Sequence, residues 1–396
     1  MAESRAETVG RVMPNSPAET QSRREAAPWP KVRLGEIGRI AMCKRILKGE
    51  TTPQGDIPFF KIGTFGKEAD AFISKSKFEH FSKLYSYPKK GSVLISAAGT
   101  IGRLVVFNGL PAYFQDSNIV WLEHDGQRLC DKYLYYTLLG HKWQFTQGAT
   151  IQRLYNDDIR NTAISLPPLP VQRAIAKRLS AYDNLIENNR RRIAILERKA
   201  EQLYKEWFVR KRFPGHTAAT SVALPTGWSV VRLGDILEVK YGKDHKILPD
   251  GNIPIFGSGG IMRYGNRALY DGEAVLIPRK GSLNNIMFFI GAFWTVDTMF
   301  YGLPKLPFIA KYLYMTLLKI DMASFNTGAA LPSMTTDILN HFKITLPASD
   351  ILEAFDKQAT KLLALKDNLQ RQNALLSRQR DLLLPRLMSG KLEVMP

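Results

Sequence analysis

A chain of 396 residues, 45% hydrophobic, has enough apolar material for two or three domain cores, which excludes a disordered polypeptide. A formal charge of +19 points to a polyanion, with nucleic acid ahead of an anionic membrane surface. Cys43 and Cys130 are too few for a disulfide framework or a paired-cysteine zinc site, and no apolar run reaches the ~20 residues of a membrane span, so a reducing cytoplasm is the expected setting.

Residues 1–28 mix charge, Pro and Ala with no apolar signal core and read as a disordered tail. A long internal repeat then organises everything that follows. Trp29-Pro-Lys-Val-Arg-Leu-Gly-Glu-Ile37 returns as Trp228-Ser-Val-Val-Arg-Leu-Gly-Asp-Ile236. Gly91-Ser-Val-Leu-Ile95 with Gly99 matches Glu273-Ala-Val-Leu-Ile277 with Gly281, and Tyr133–Leu139 matches Tyr312–Leu318. Asp158-Ile159 and Ile164-Ser-Leu-Pro167 find counterparts in Asp337-Ile338 and Ile344-Thr-Leu-Pro347. The boundaries fall at 29–168 for a first domain, 169–224 for a helix and linker, 225–347 for a second domain and 348–396 for a second helix; the positive excess favours 29–168 and 169–224.

Each domain reads as α+β. Strands are expected at 93–96, 104–107, 119–122, 274–277 and 287–290, bounded by Gly, Asn and Asp, with amphipathic helices at 131–139 and 311–318. In the first helical segment Tyr182, Ile186, Asn189, Ile193, Leu196, Ala200, Leu203 and Trp207 follow a 4-3 spacing, a coiled-coil seam with one polar position. Phe355, Ala359, Leu362, Lys366, Leu369, Asn373, Leu376, Arg380 and Leu383 repeat it, so two similar helices are available to pair. Prolines at 167, 168 and 170 start the first helix, Pro214-Gly215 ends the segment after it, and Pro385 and Gly390 close the second, which makes each helix roughly 35 to 40 residues, or about 50 to 60 Å.

Catalytic constellations are missing. The six histidines lack metal-ligand spacing, and the glycines of Phe256–Gly260 lack the spacing of a dinucleotide loop and read as a tight turn. There is no Asn-Pro-Pro-aromatic tetrapeptide to hold a flipped base, no phosphate-binding lysine loop, and after Pro249-Asp250 no Glu-x-Lys to complete a nuclease site. The expectation is a protein that is not an enzyme and holds no metal.

Four features together resemble the specificity subunits of type I restriction–modification systems over about 29–392: the doubled Trp-x-x-Val-Arg-Leu-Gly-(Glu/Asp)-Ile start, Leu166-Pro-Pro-Leu-Pro-Val-Gln-Arg173, Glu206-Trp-Phe208 with Phe213-Pro214, and Arg380–Leu392. The resemblance implies two homologous target-recognition domains in a pseudo-twofold repeat, separated by two long helices that pair antiparallel. It implies double-stranded DNA with a bipartite target as ligand, and two methyltransferase subunits together with restriction subunits as partners. S-adenosylmethionine, ATP and Mg2+ would then belong to those partners. The second helix opens with Ala348-Ser-Asp-Ile where the first has Leu-Pro-Val-Gln, a departure that bears on whether both ends dock a partner equally. The recognition subunit of a type IIB system shares this layout, and a coiled-coil scaffold binding RNA or protein is the alternative of a different class.

A duplex reader needs phosphate contacts for register and base-edge contacts for choice. In the first domain the candidates are Lys89, Lys90, Ser96, Thr100 and Arg103 around a strand-turn, and Gln152 and Arg153 ahead of the closing Leu-Pro. In the second they are Arg279, Lys280, Asn284 and Asn285, with Ser333 in the segment that matches 148–154. Tyr182, Ile186, Asn189, Ile193, Leu196, Leu203 and Trp207 are assigned to helix pairing and subunit docking, with Leu362, Leu369, Asn373, Leu376 and Leu383 from the second helix. Helix length is expected to act as a ruler between half-sites about one DNA turn apart.

Overall fold

The computed structural model describes residues 29–143, 153–216, 224–325 and 332–394. The chain forms two units, one made of the chain up to Asn184 together with Leu376 onward, the other of Leu185–Leu375. The boundary between them falls inside each long helix, so each unit is one domain seated on the start of one helix and the end of the other.

In the first unit the strand Lys31–Arg33 pairs antiparallel with Ala163–Ser165, so the repeat's first and last segments close the domain. A four-stranded antiparallel sheet runs in the order Arg39–Met42, Ile119–Glu123, Val93–Ser96, Leu104–Val106. All residues of Val93–Ser96 are buried. Val93 and Ile95 enter one core with Leu34, Tyr133, Ile159 and Leu179, while Leu94 enters another with Phe59, Tyr113 and Trp121, as alternation requires of a strand covered on both faces. A second, three-stranded sheet places Ile57–Phe60 between Phe72–Ile73 and, in parallel, Tyr113–Phe114.

The second unit repeats the plan. Ser229–Arg232 pairs with Lys343–Leu346, and a six-stranded sheet runs Leu237–Tyr241, Met299–Pro304, Tyr270–Pro278, Met287–Thr295, Asp250–Gly257, Gly260–Gly265. Val275 and Ile277 face one core, Ala274 and Leu276 the other. The strand expected at 274–277 extends over Tyr270–Pro278 and that at 287–290 over Met287–Thr295, while the helices lie at Asp131–Leu138 and Ala310–Leu317. One alignment shifts by a residue: buried Ile159 corresponds to buried Leu339, not to Ile338, because the turn before the closing strand is set by Leu34 N donating to Thr162 O and Leu233 N to Phe342 O.

The long helices span Leu169–Tyr204 and Ser349–Met388, 36 and 40 residues. Pro170 sits in the first turn of its helix, where a missing N–H costs nothing. Pro385 does not end the second helix as expected; the helix continues to Met388, with Ser389 N donating to Pro385 O at 3.1 Å. In the second unit the helices run antiparallel, with Asn189 Nδ2 3.4 Å from Gln372 Oε1, Lys366 2.7 Å from Glu197, and the Trp207 ring 5.9 Å from Phe355. In the first unit Arg380 meets Asp183 at 2.6 Å.

The motifs at the helix ends are the floors of the two domains. Phe208 lies 4.6 Å from Tyr312 and 4.8 Å from Phe355, and Phe213 stacks on Trp228 at 5.5 Å, ring centre to ring centre. Under the first domain Leu387 joins Ile175, Leu179 and Tyr133 in one core, with Leu383, Leu384 and Leu392 packed against it. Gly390 has φ +72° and lies against the Trp29 ring, where a Cβ would stand 3.3 Å from it.

Candidate nucleic-acid interface

In the first domain the hairpin joining Val93–Ser96 to Leu104–Val106 ends in the turn 97–103. Gly99 and Gly102 take positive φ there, which an L side chain rarely adopts. Leu154, buried just before the short helix Asn156–Asn161, donates its N–H to Ala97 O at 2.8 Å, which brings the segment around Arg153 onto this turn. Trp143 lies against Gly102 so closely that a Cβ would come within 2.2 Å of its Nε1.

The second domain makes the same junction with different residues. Met334 N donates to Arg279 O at 2.9 Å, Gly281 N donates to Pro332 O at 3.1 Å, and Lys280 forms a bridge with Ser333. Buried Leu154 and buried Met334 are the equivalent pegs. Each turn is therefore locked to the segment preceding the closing strand by backbone bonds, leaving side chains free to differ between copies.

The candidate residues divide accordingly. Thr100, Asn284 and Asn285 are exposed on the turns, and Arg103, Arg153, Arg279, Lys280 and Ser333 are half-buried beside them. Gln152 lies outside the described residues. Ser96 is 1% exposed, and its hydroxyl donates to Thr100 O and accepts from Arg103 N, so it holds the turn and has no surface to offer a ligand. Lys89 and Lys90 are exposed but sit before the strand Val93–Ser96, while the turn follows it. At about 3.3 Å per residue they are more than 10 Å from that turn, so they do not join it. Lys89 instead adjoins the His124–Asp131 pair.

Several cations are tethered. Arg103 donates to Phe65 O at 2.9 Å and to Thr100 Oγ1 at 3.3 Å, and Arg153 donates to Ser117 O at 2.6 Å. Arg279 reaches Asp297 O at 3.3 Å and stands over the Tyr241 ring at 5.4 Å. Asn284 Nδ2 donates to Asp321 at 2.9 Å and Asn285 Nδ2 to Ser258 O at 2.7 Å. Side chains held this way pay less conformational entropy on meeting a ligand.

A third segment escaped sequence reasoning. In the first domain the turn packs on Ile62, whose Cγ1 is 3.3 Å from a Cβ built on Gly99, and on Phe65 through Arg103. In the second it packs on Ser258 through Asn285. Both segments follow a strand that pairs in parallel with a distant strand, Ile57–Phe60 with Tyr113–Phe114 and Asp250–Gly257 with Met287–Thr295. The Gly-rich run at 256–260 was the available signal, and as expected it forms a hairpin turn, with Gly260 at φ +116°.

Beneath each site a tyrosine ties helix to closing strand. The Tyr133 hydroxyl donates to Ser165 O at 2.8 Å and Tyr312 to Thr345 O. Burial pushes the Tyr133 phenol up to about 12, so it remains a donor at any physiological pH. The helix seam positions turn inward: Ile186, Asn189, Ala200, Trp207, Phe355, Ala359 and Leu369 are buried. Tyr182, Ile193, Leu196, Leu203, Leu362, Asn373, Leu376 and Leu383, also assigned to helix pairing and docking, are half-buried along the same seam. The exposed apolar side chains of the helices are Leu185, Ile195, Leu365, Leu375 and Leu382. Among the described residues no group of His, Cys, Asp and Glu could hold a metal ion, and no helix is long and apolar enough to cross a membrane.

Two copies of one α+β frame, each presenting a locked turn cluster and joined by long helices, define a class of duplicated modular proteins. The family profile described as the type I restriction modification DNA specificity domain matches residues 27–198 and 225–374. The chain belongs to that family. It is 53% identical over 154 residues to the putative type I restriction enzyme specificity subunit S.HindORF215P of Haemophilus influenzae, an alignment covering 39% of this chain and 40% of that relative's length. The MjaIX specificity subunit of Methanocaldococcus jannaschii is 24% identical over 92% of this chain and 94% of its own. The crystal structure of the type I restriction–modification S subunit from M. genitalium shares the fold, with a TM-score of 0.64, 21% identity, and coverage of 91% of this chain and 96% of that one.

Proposed function

We propose that this chain is the non-catalytic DNA-reading subunit of a type I restriction–modification complex, each domain reading one half of a bipartite duplex target. The observation that carries the reading is the duplicated junction: Leu154 to Ala97 and Met334 to Arg279 are the same backbone tie, while the exposed residues around it differ. Two half-sites of different sequence ask for that combination of constant frame and variable surface. The +19 charge supplies attraction to the phosphate backbone, so binding falls steeply with salt.

The long helices act in this reading as a spacer between the half-sites and as the seat of two methyltransferase subunits, with restriction subunits joining the assembly. Support for a seat on the helices comes from Leu185, Ile195, Leu365, Leu375 and Leu382, which are exposed. S-adenosylmethionine, ATP and Mg2+ belong to those partners. The test is a methylation-resolved genome sequence of the host with and without this gene. The expected result is a split motif, methylated in both halves, that vanishes with the gene; an unchanged methylation map overturns the reading.

A further inference from the structure

In the second domain the hairpin of Asp250–Gly257 and Gly260–Gly265 carries exposed apolar side chains that the frame does not use: Ile261 at 50%, Met262 at 58% and Tyr264 at 50%. The register explains their exposure. Ile255 pairs with Arg263 and Phe256 with Ile261, so Met262 is an extra residue in a β-bulge, a device that re-aims a side chain and recurs beside functional sites. Two successive side chains thus stand outward where a regular strand would turn one of them in.

The bulge is held firmly. Gly257 leaves the space that the Met262 side chain fills, since a Cβ there would stand 2.4 Å from its Sδ. Arg263 donates to His245 Nδ1 at 3.3 Å, to Leu248 O at 2.8 Å and to Asp250 at 3.2 Å, pinning the loop that carries Ile247, 79% exposed, to the same hairpin. At the hairpin tip Ser258 O accepts from Asn285, so the apolar patch is continuous with the candidate interface. Exposed Lys243, Lys246 and Arg267 lie on the flanking segments. An apolar patch next to cations and continuous with a polar reading turn fits a duplex, whose phosphates meet the cations. The thymine 5-methyl is the apolar feature on a base-pair edge in the major groove.

We propose that Met262, presented by this bulge, determines specificity in the second half-site by packing on a thymine 5-methyl. The inference rests on the reading given under Proposed function. The test measures binding of the full chain to duplexes carrying the mapped target, with each thymine of the second half-site replaced in turn by deoxyuridine. For the native chain one replacement lowers affinity about fourfold, the value of one buried methyl. Met262→Ala binds the thymine and deoxyuridine duplexes equally, and Met262→Leu restores the difference. Thermal unfolding of both variants, expected to shift only slightly at a position 58% exposed, separates contact from folding. A native chain indifferent to every replacement, a Met262→Ala chain as sensitive as the native one, or a second half-site without an A·T pair overturns the role of Met262 alone. A host genome without a split methylated motif overturns the underlying reading, and this inference with it.

Discussion

The two domains share a frame and differ in how they are fastened to the helices. In the first, Tyr136 donates to Asp183, which also takes Arg380 at 2.6 Å, and Gln172, fully buried, accepts from Cys130 N and donates to Arg128 O and Pro167 O. In the second, the place of Gln172 is taken by buried Leu352, that of Tyr136 by Met315, and the fastenings are Lys311, 2% exposed, held by Glu273 at 2.7 Å and Asp356 at 2.9 Å, with Tyr204 donating to Thr316 at 3.1 Å and Lys319 paired with Glu201. Backbone ladders and apolar floors are common to both; polar fastenings are local solutions. Duplication therefore constrains the frame strongly and the side-chain contacts that steady it weakly.

That comparison can be broken at several points. Inserting one heptad into each helix keeps the 4-3 seam in phase and adds about 10 Å. The account expects a longer unspecified spacer in the methylation motif with both half-sites unchanged; an unaltered spacer removes the ruler. Lys311→Ala leaves two carboxylates facing an emptied site. Breaking a buried pair costs about 3–5 kcal/mol, reduced here to about 2–3 because Glu273 is partly exposed. Hydrogen exchange is to accelerate in Ala310–Leu317 and stay unchanged in Asp131–Leu138, and equal loss in both helices would show that the fastenings are not local.

Gln172→Leu imposes the second domain's solution on the first. It orphans the Cys130 N–H and two carbonyls, so a loss of about 1–3 kcal/mol confined to the first unit is expected in the same measurement. Tyr136→Phe removes one hydrogen bond while Arg380 still holds Asp183, and costs about 1 kcal/mol or less.

Much of this was legible in the sequence because periodicity and repetition report on burial. The 4-3 spacing identified the buried seam from Ile186 to Leu369, and the doubled Val-Arg-Leu-Gly stretch marked where each domain starts, though not that it is a strand pairing with the domain's last segment. Leu-Pro-Val-Gln172 stood out as a motif, and its meaning, a glutamine satisfying three backbone groups, required the fold. Single charges were the least legible. Lys89 and Lys90 are near the turn 97–103 in sequence but lie across a strand from it, and Ser96 is buried because its hydroxyl builds the turn. The third segment, at Ile62 and Ser258, is placed by a parallel pairing between strands far apart in the chain; the Gly-rich run at 256–260 signalled a turn but not its place beside Asn285. Nor does local pattern reveal the bulge at Met262, since it is a property of register.

The central claim is that each domain reads one half-site independently. Residues 29–168 exchanged for the matching domain of a relative with a different target, followed by methylation-resolved sequencing, test it most directly. The account predicts that one half of the split motif changes while the other half and the spacer stay as they were; a motif altered in both halves, or in neither, contradicts it.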